Sequence, residues 1–304
     1  MKRITGFVLL IIFSLLAFNY SKIKLAYIYY VSPCYYGKPV KQNHFPQVFL
    51  NINLEDYYSE IRSLAKTHFT VDTLKVVTYK SKSYPILELT KNKIAKSNTQ
   101  KKLLIIAGVH GNESGGTLAI NKLLEEVNRN PNKFENWDLK ILTAINPVGT
   151  LEMSRYNECG CDLNRKFESS KQKGVLAQKQ IIDSYKPNVI INLHEAPSSG
   201  FLIHSNEYLK DKLLFQILAE VKEQGIILSR KDYFQRDLET PGNSKISDVL
   251  KFLNKLVQVQ ALGDYVSEKQ IIEITTESGW NSKDKFQRVN SHVFTILSLI
   301  ENYK

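Results

Sequence analysis

The segment from Val109 to Gly116, which reads Val-His-Gly-Asn-Glu-Ser-Gly-Gly, most constrains how this chain folds. It follows a short apolar run, Leu103 to Ala107, which is typical of a strand covered on both faces. Two glycines permit a tight turn, and the apolar spacing from Ser114 to Val127 predicts a helix after it. His110 and Glu113 are therefore expected where a strand passes into a helix, at the edge of a sheet.

An imidazole and a carboxylate delivered by one turn are ligands that zinc accepts. The metal then needs a third protein ligand from elsewhere and a water in the open position. A solvated histidine beside a helix-capping glutamate has the same three-residue spacing, so this motif alone is a weak signal. Other parts of the chain have to supply the remaining groups.

A second polar cluster follows another apolar strand candidate, Leu139 to Ile145. It comprises Asn146 to Gly149 (Asn-Pro-Val-Gly) and the loop-rich segment Arg155 to Phe167. Composition alone favours a basic, well-capped surface loop. Guanidinium groups, however, bind carboxylates in a bidentate fork and stabilise a carbonyl oxygen as it becomes an oxyanion. A site that hydrolyses an amide bond beside a free carboxylate needs both functions.

Together the two motifs resemble those of the carboxypeptidase A-like zinc metallopeptidases, the funnelin group, and above all its compact bacterial members such as murein peptide amidases. The resemblance covers about residues 50 to 300. It implies that His110 and Glu113 bind one zinc ion and that Arg155 stabilises the oxyanion. It also implies that Asn164 and Arg165 of the Asp-Leu-Asn-Arg segment hold the carboxylate of the substrate.

The same resemblance implies an α/β fold, with a mixed central sheet flanked by helices and the zinc site at the strand ends. The order of the predicted elements agrees with that expectation. Helices are predicted over 54–66, 172–186, 208–224 and 284–302, and strands over 71–79, 84–89, 103–107, 139–145 and 189–193.

The resemblance also implies a third zinc ligand, a histidine at the end of a downstream strand, and His194 follows the apolar run Val189 to Leu193. The chain has six histidines. His204 could compete for the metal but is interpreted as a strand residue near the cleft wall. Glu195 is interpreted as a group that supports the ligands or is solvated, rather than as a metal ligand.

The resemblance implies a general base late in the chain. Glu273 and Glu277 lie there, four residues apart and so on one face of a strand. The family pattern Thr-x-Glu-Ser/Thr matches Thr275 to Ser278, which favours Glu277 and leaves Glu273 in reserve. A substrate-contacting tyrosine is also implied, but sixteen tyrosines do not identify it, and Tyr233 and Tyr265 are predicted to be packing residues.

The N-terminus differs from the rest of the chain. Residues 1–24 hold an apolar run behind Met1-Lys2-Arg3 and predict a signal peptide or an N-terminal membrane anchor. Bulky residues where cleavage would occur favour the anchor. Residues 25–48 are interpreted as a connecting segment and 49–304 as the catalytic domain. The catalytic domain is therefore expected outside the cytoplasm, periplasmic or secreted.

The cysteines argue against a disulfide-rich scaffold, and the pattern of positive charge argues against a nucleic-acid-binding module. Cys159 and Cys161, separated by one glycine, cannot readily bridge each other, and with Cys34 they are predicted to be free thiols. The net charge of +11 comes from scattered lysines without a nucleic-acid motif. No nucleic-acid partner is expected, and attraction to anionic lipids or cell-wall polymers is the hypothesis for the charge.

The functional expectation is a zinc metallocarboxypeptidase or peptide amidase whose partner is a peptide with a free carboxylate. Cell-wall peptide is a candidate by analogy. Two alternatives stay open: an N-acyl amino-acid deacylase of the succinylglutamate desuccinylase and aspartoacylase type, and a catalytically silent peptide-binding homologue. The sequence leaves the oligomeric state undetermined.

Overall fold

The computed structural model describes residues 24, 27, 32–41, 50–92, 101–232, 236–245 and 260–304. In chain order the helices and strands are α1 (Leu54–Ala65), β1 (Phe69–Tyr79), β2 (Lys82–Lys91), β3 (Lys101–Ala107), α2 (Ser114–Arg129), a 3-10 turn (Pro131–Phe134), β4 (Trp137–Thr143), α3 (Pro147–Leu151), α4 (Lys173–Tyr185), β5 (Val189–Ala196), β6 (Leu202–Ser205), α5 (Asp211–Glu223), α6 (Leu262–Ser267), β7 (Ile272–Gly279) and α7 (Lys285–Asn302). Each predicted helix and strand is confirmed, with ends that shift by a few residues.

Within the described residues, one mixed sheet of seven strands organises the fold, in the order β1-β2-β4-β3-β5-β7-β6. The central strands β4, β3, β5 and β7 are parallel, while β1, β2 and β6 run antiparallel to their neighbours. The carboxyl ends of β3, β5 and β7 therefore meet at one edge, where open α/β sheets bind their ligands. The predicted mixed sheet between helices is confirmed.

The two faces of the sheet differ, and β5 illustrates the difference because its alternate residues point to opposite sides. Val189, Ile191 and Leu193 lie on the face that we call the packing face, in a core with α2, α5 and α7. The opposite face begins with Ile190 in a second core with α4 and α6. The same face continues with Asn192 and His194, and we call this face of the sheet the site face.

Residues 32–41 form a strap against the loop between α3 and α4. The backbone of Val40 exchanges two hydrogen bonds with the Ser154 hydroxyl, and the rings of Tyr36 and Tyr156 pack at 4.8 Å. The amide of Asp162 donates to a carbonyl of the strap, that of Pro33, at 2.8 Å. This part of the predicted connecting segment is thus bound to the catalytic domain.

The prediction of three free thiols is wrong. Cys34 of the strap forms a disulfide with Cys161, across 127 residues, and only Cys159 is free and exposed. Cys159 and Cys161 are near neighbours along the chain, whereas the strap brings Cys34 to Cys161 from far away. No helix within the described residues is long and apolar enough to span a bilayer. The predicted targeting segment lies outside those residues, apart from Lys24, and stays a prediction.

Candidate metal centre

The three predicted zinc ligands converge at the carboxyl edge of the sheet. One donor atom from each of His110, Glu113 and His194 lies within 4.8 Å of the others, and all three side chains are buried. One carboxylate oxygen of Glu113 lies 2.8 Å from Nδ1 of His110, and the other lies 2.8 Å from Nδ1 of His194. The two Nδ1 atoms are 3.1 Å apart. Two nitrogens and a carboxylate held this closely are a donor set that suits zinc.

Local structure explains this convergence. His110 and Glu113 occupy the turn after β3, and Gly108 starts that turn with a φ of +76°, which favours glycine. His194 lies near the end of β5, the neighbour of β3 in the sheet. The strand–turn–helix prediction is therefore confirmed, and so is the expectation that His194 lies beside it.

Asp162 sets the orientation of His110, and the sequence argument assigned it no role. Nε2 of His110 lies 3.1 Å from the Asp162 carboxylate. A carboxylate accepts hydrogen bonds, so Nε2 can donate to Asp162, and with a metal bound Nδ1 would supply the lone pair. The position of Asp162 in the Asp-Leu-Asn-Arg segment was the available signal.

Charge balance keeps both acids of this centre ionised. Burial opposes ionisation of Asp162, but the charges of Arg155, His110 and Arg165 hold its pKa well below its ordinary value. Burial likewise opposes ionisation of Glu113, and the two histidines hold its pKa below its ordinary value. Burial lowers the pKa of His194, which favours the neutral imidazole that a metal needs.

Arg155 lies inside the centre, as predicted. Its Nε donates to Asp162 at 2.8 Å and its Nη1 donates to Glu113 at 3.2 Å. Asn146 supports it from the Asn-Pro-Val-Gly motif: the Oδ1 atom caps α3 and the amide nitrogen donates to the Arg155 carbonyl at 3.3 Å. The guanidinium is thereby fixed beside the metal ligands.

The first and second motifs also touch directly through their glycines. A Cβ atom on Gly111 would come within 1.8 Å of the backbone of Gly149. Only glycine at position 111 permits this approach of α3 to the ligand turn. The co-occurrence of the two motifs in the sequence therefore has a packing cause.

Asn164 and Arg165, the predicted carboxylate-binding pair, lie between the metal centre and α6. The side-chain oxygen of Asn164 accepts a hydrogen bond from the Leu262 amide at 2.9 Å. The backbone amide of Asn164 donates to the Asp162 carboxylate. Arg165 is half-buried, and its charge acts both on Asp162 and on Asp264 of α6. The pair thus lies beside the metal centre, while the role in carboxylate binding stays a prediction.

Glu277 lies in register with His194 in the neighbouring strand β7. Its Oε2 atom is buried and accepts no hydrogen bond from any described residue. Burial, followed by the nearby charge of Glu113, raises the pKa of Glu277 well above its ordinary value. A carboxyl group whose pKa is raised accepts a proton more readily, as a general base must. Glu273 lies deeper along the strand.

Glu195 supports the ligands from the packing face, as expected, and Arg288 is its unpredicted partner. The Arg288 guanidinium donates twice to the Glu195 carboxylate, at 2.7 and 2.9 Å, and both side chains are fully buried. The same carboxylate accepts from the Gly115 amide and the Ser278 hydroxyl, while the Glu195 amide donates to Glu113. A Cβ on Gly115 would come within 2.7 Å of Glu195, so glycine at position 115 permits this close approach.

The remaining candidates fall outside the centre. His204 lies in β6, where its Nδ1 donates to the Ser244 carbonyl at 3.0 Å, and it is not part of the group of three potential metal ligands found among the described residues. Tyr265 bonds Asp183 and packs against Phe167, which confirms a packing role. Tyr233 lies outside the described residues.

Known proteins resemble the chain in two ways. Residues 99–227 match the family described as succinylglutamate desuccinylase/aspartoacylase catalytic domain. A probable aspartoacylase of Prochlorococcus marinus is 29% identical over 153 residues, which are 45% of this chain and 49% of that protein. The matched region thus spans about half the length of this curated relative.

Solved structures extend the likeness beyond that segment. A metallo-carboxypeptidase of Burkholderia cenocepacia superposes with a TM-score of 0.62 at 16% identity, over 83% of this chain and 69% of the other. The protein has a carboxypeptidase A-like fold. A metallo-carboxypeptidase of Pseudomonas aeruginosa superposes with a TM-score of 0.61 at 14% identity, over the same shares of the two chains. At these identities the likeness establishes the fold, and the chemistry must be argued from the side chains.

Proposed function

We propose that this protein is a zinc-dependent hydrolase that cleaves an amide bond whose amine-side residue carries a free carboxylate. The observation that carries the proposal is the convergence of His110, Glu113 and His194, with the guanidinium of Arg155 and the carboxyl group of Glu277 beside them. Zinc bound there would activate a water molecule and polarise the carbonyl of the scissile bond.

The side chains then have separate tasks. Glu277 takes a proton from the attacking water and returns it to the leaving nitrogen, for which a raised pKa is suited. Arg155 donates to the carbonyl oxygen as negative charge develops on it. Arg165, with Asn164, binds the substrate carboxylate and fixes which bond lies at the metal. Asp162 keeps His110 in the tautomer that leaves Nδ1 for the metal.

Two substrate classes satisfy this chemistry. A carboxypeptidase or peptide amidase removes a terminal residue from a peptide, and the metallo-carboxypeptidase structures with the same fold favour that reading. Cell-wall peptide is the candidate by analogy. An N-acyl amino-acid deacylase releases an amino acid from an acyl group. The family match over residues 99–227 favours this second reading.

We also propose that the catalytic domain works outside the cytoplasm, attached through the N-terminal segment. Disulfides persist in oxidising compartments and are rare in the cytosol, so the Cys34–Cys161 bridge supports this location. Fractionation of a tagged protein tests it. Recovery as soluble cytoplasmic material would contradict the proposal.

Product analysis tests the reaction and separates the two substrate classes. The zinc-loaded full chain is incubated with muropeptides and, separately, with acylated amino acids, and the products are identified by mass spectrometry. Release of an amino acid from either set supports the hydrolase, and the set that reacts identifies the class. If neither set reacts and the protein binds peptide unchanged, the silent homologue replaces the enzyme.

A further inference from the structure

A group of polar side chains surrounds Thr275 on the site face of the sheet. Glu273 and Glu277 lie two residues before and after it in β7, so all three point to the same side. Asn192 of β5 and His204 of β6 are its register partners on either flank. These residues form a cross with Thr275 at its centre, and we call it the Thr275 pocket.

The pocket interrupts an otherwise apolar face. Leu104, Ile106 and Ile190 belong to the same face of β3 and β5 and are fully buried in the second core. Asn192 and Glu273 are nearly as inaccessible, with 1% and 5% of their surface exposed. Buried polar groups cost free energy unless they find partners, so their presence here indicates a role beyond packing.

The pocket offers hydrogen-bond acceptors. The Oδ1 atom of Asn192 is buried, and no described residue donates to it. One oxygen of Glu273 accepts from the Thr275 hydroxyl. His204 donates from Nδ1 to the Ser244 carbonyl, and burial lowers its pKa, so the neutral ring presents Nε2 as an acceptor.

These acceptors, together with the buried carboxyl group of Glu273, select a ligand that carries donors and positive charge. A primary ammonium has three donors and no acceptor, and it matches such a pocket. Burial raises the pKa of Glu273 to about 7. A cation bound beside this carboxyl group would favour its ionised form and offset the cost of burying it.

The pocket adjoins the groups that would hold the substrate. Glu273 and Glu277 are four residues apart along β7, about 13 Å between their Cα atoms. The side chain of Asn164 binds the start of α6 through the Leu262 amide. The next residue is Gly263, and a Cβ added to it would lie 3.5 Å from Oε2 of Glu273. Arg165 and Glu273 therefore both lie beside the start of α6.

We infer that the Thr275 pocket binds a cationic side chain on the carboxylate-bearing residue of the substrate, so that the preferred leaving amino acid is lysine-like, with a primary amine at the end of an aliphatic stem. This inference rests on the proposed function and names the substrate class for the same site. The register of β5, β7 and β6 and the buried acceptors carry it.

Matched ligands that differ only in the terminal amine test the inference. Binding of lysine and of norleucine, each as both enantiomers, is measured by calorimetry on the zinc-loaded full chain. Hydrolysis of benzoylglycyl-lysine and benzoylglycyl-norleucine is measured in parallel. A hydrogen-bonded charge contributes about 1.5–3 kcal/mol, so lysine should bind at least about tenfold more tightly than norleucine. The lysine substrate should show a similar advantage in kcat/KM.

The Glu273→Gln variant should remove most of that preference. Glu223→Gln is the matched control, because it makes the same chemical change at an exposed position at the end of α5 and should keep the wild-type ratio. Norleucine that binds as tightly as lysine, or an unchanged ratio in Glu273→Gln, would overturn the inference even if both substrates are hydrolysed. Selective binding of lysine without any hydrolysis would support the pocket and contradict the hydrolase instead.

Discussion

The packing face and the site face of β5 and β7 differ in whether their buried polar groups have hydrogen-bond partners. On the packing face, the Glu195 carboxylate has bonds from Arg288, Gly115 and Ser278. On the site face, Asn192 Oδ1, His194 Nε2 and Glu277 Oε2 are buried without a hydrogen-bond partner among the described residues. Satisfied buried polar groups stabilise a fold, whereas unsatisfied ones indicate a place where a ligand completes the bonding.

Substitutions on the two faces should therefore have opposite effects on activity and stability. On the site face, they should reduce activity and leave stability nearly unchanged. On the packing face, they should reduce stability first.

Glu277→Gln is expected to have the largest effect, and on turnover alone. Loss of the general base should reduce kcat by about 10²- to 10⁴-fold. Burial and the Glu113 charge already disfavour the ionised carboxylate, so the neutral amide should leave Tm unchanged or higher. Turnover, zinc content and Tm are measured together. Retained turnover would transfer the role of base to Glu273.

Arg288→Met should have the opposite profile, with a large loss of stability. It leaves the buried Glu195 charge without its bidentate partner, which typically costs about 3–5 kcal/mol and corresponds to about 6 to 20 °C in Tm for a domain of this size. The double variant Glu195→Gln/Arg288→Met removes the uncompensated charge and keeps an acceptor for the Gly115 amide. It should recover part of the loss in thermal melts. A single variant as stable as wild type would show that the pair is dispensable.

The disulfide should contribute a somewhat smaller stabilisation. Cys34→Ser removes a cross-link between the strap and the loop that carries Asp162, and such a loss commonly costs about 2–4 kcal/mol. A reducing agent should lower the Tm of wild type to that of the variant. Cys159→Ser is the matched control and should melt like wild type, because Cys159 is free. If reduction leaves the Tm of wild type unchanged, the strap does not depend on its disulfide.

The smallest expected effect concerns His292, whose protonation should make the stability of the fold depend on pH. It lies between the hydroxyls of Thr276 and Ser278 on the packing face, and burial lowers its pKa from 6.5 to about 3. The unfolded chain therefore binds a proton that the folded chain does not, and the unfolding free energy falls as pH drops below 6.5. At pH 5 this group accounts for about 2 kcal/mol. His292→Gln should lose less stability than wild type between pH 7 and pH 5 in denaturant titrations, and equal losses would contradict the assignment.

Much of the site was predictable because its parts are local in sequence. His110 and Glu113 follow from a strand, a turn and a helix in one continuous segment, and periodicity reveals such segments. His194 and Glu277 end or lie in apolar strands, and the resemblance then selected them. The resemblance implied the mixed sheet, and parallel strands bring their carboxyl ends to one edge.

The contacts that were missed join residues far apart in the chain. The Glu195–Arg288 pair spans 93 residues and the disulfide 127, and no periodicity links such positions. The polar pocket around Thr275 required the register of three strands, which residue patterns do not specify. Asp162 was within a motif already noted, but its role depends on which nitrogen of His110 it contacts.

Zinc binding by the full chain is the most direct test of the central claim, that His110, Glu113 and His194 form one metal site. After chelation and reloading, zinc content and affinity are measured for wild type, His194→Ala and His68→Ala, a histidine between α1 and β1 that serves as the matched control. The account predicts one zinc per chain in wild type and in His68→Ala. It predicts for His194→Ala a loss of affinity beyond the about 10- to 100-fold that removal of an outer partner causes. Zinc bound equally by all three proteins, or by none, would contradict it.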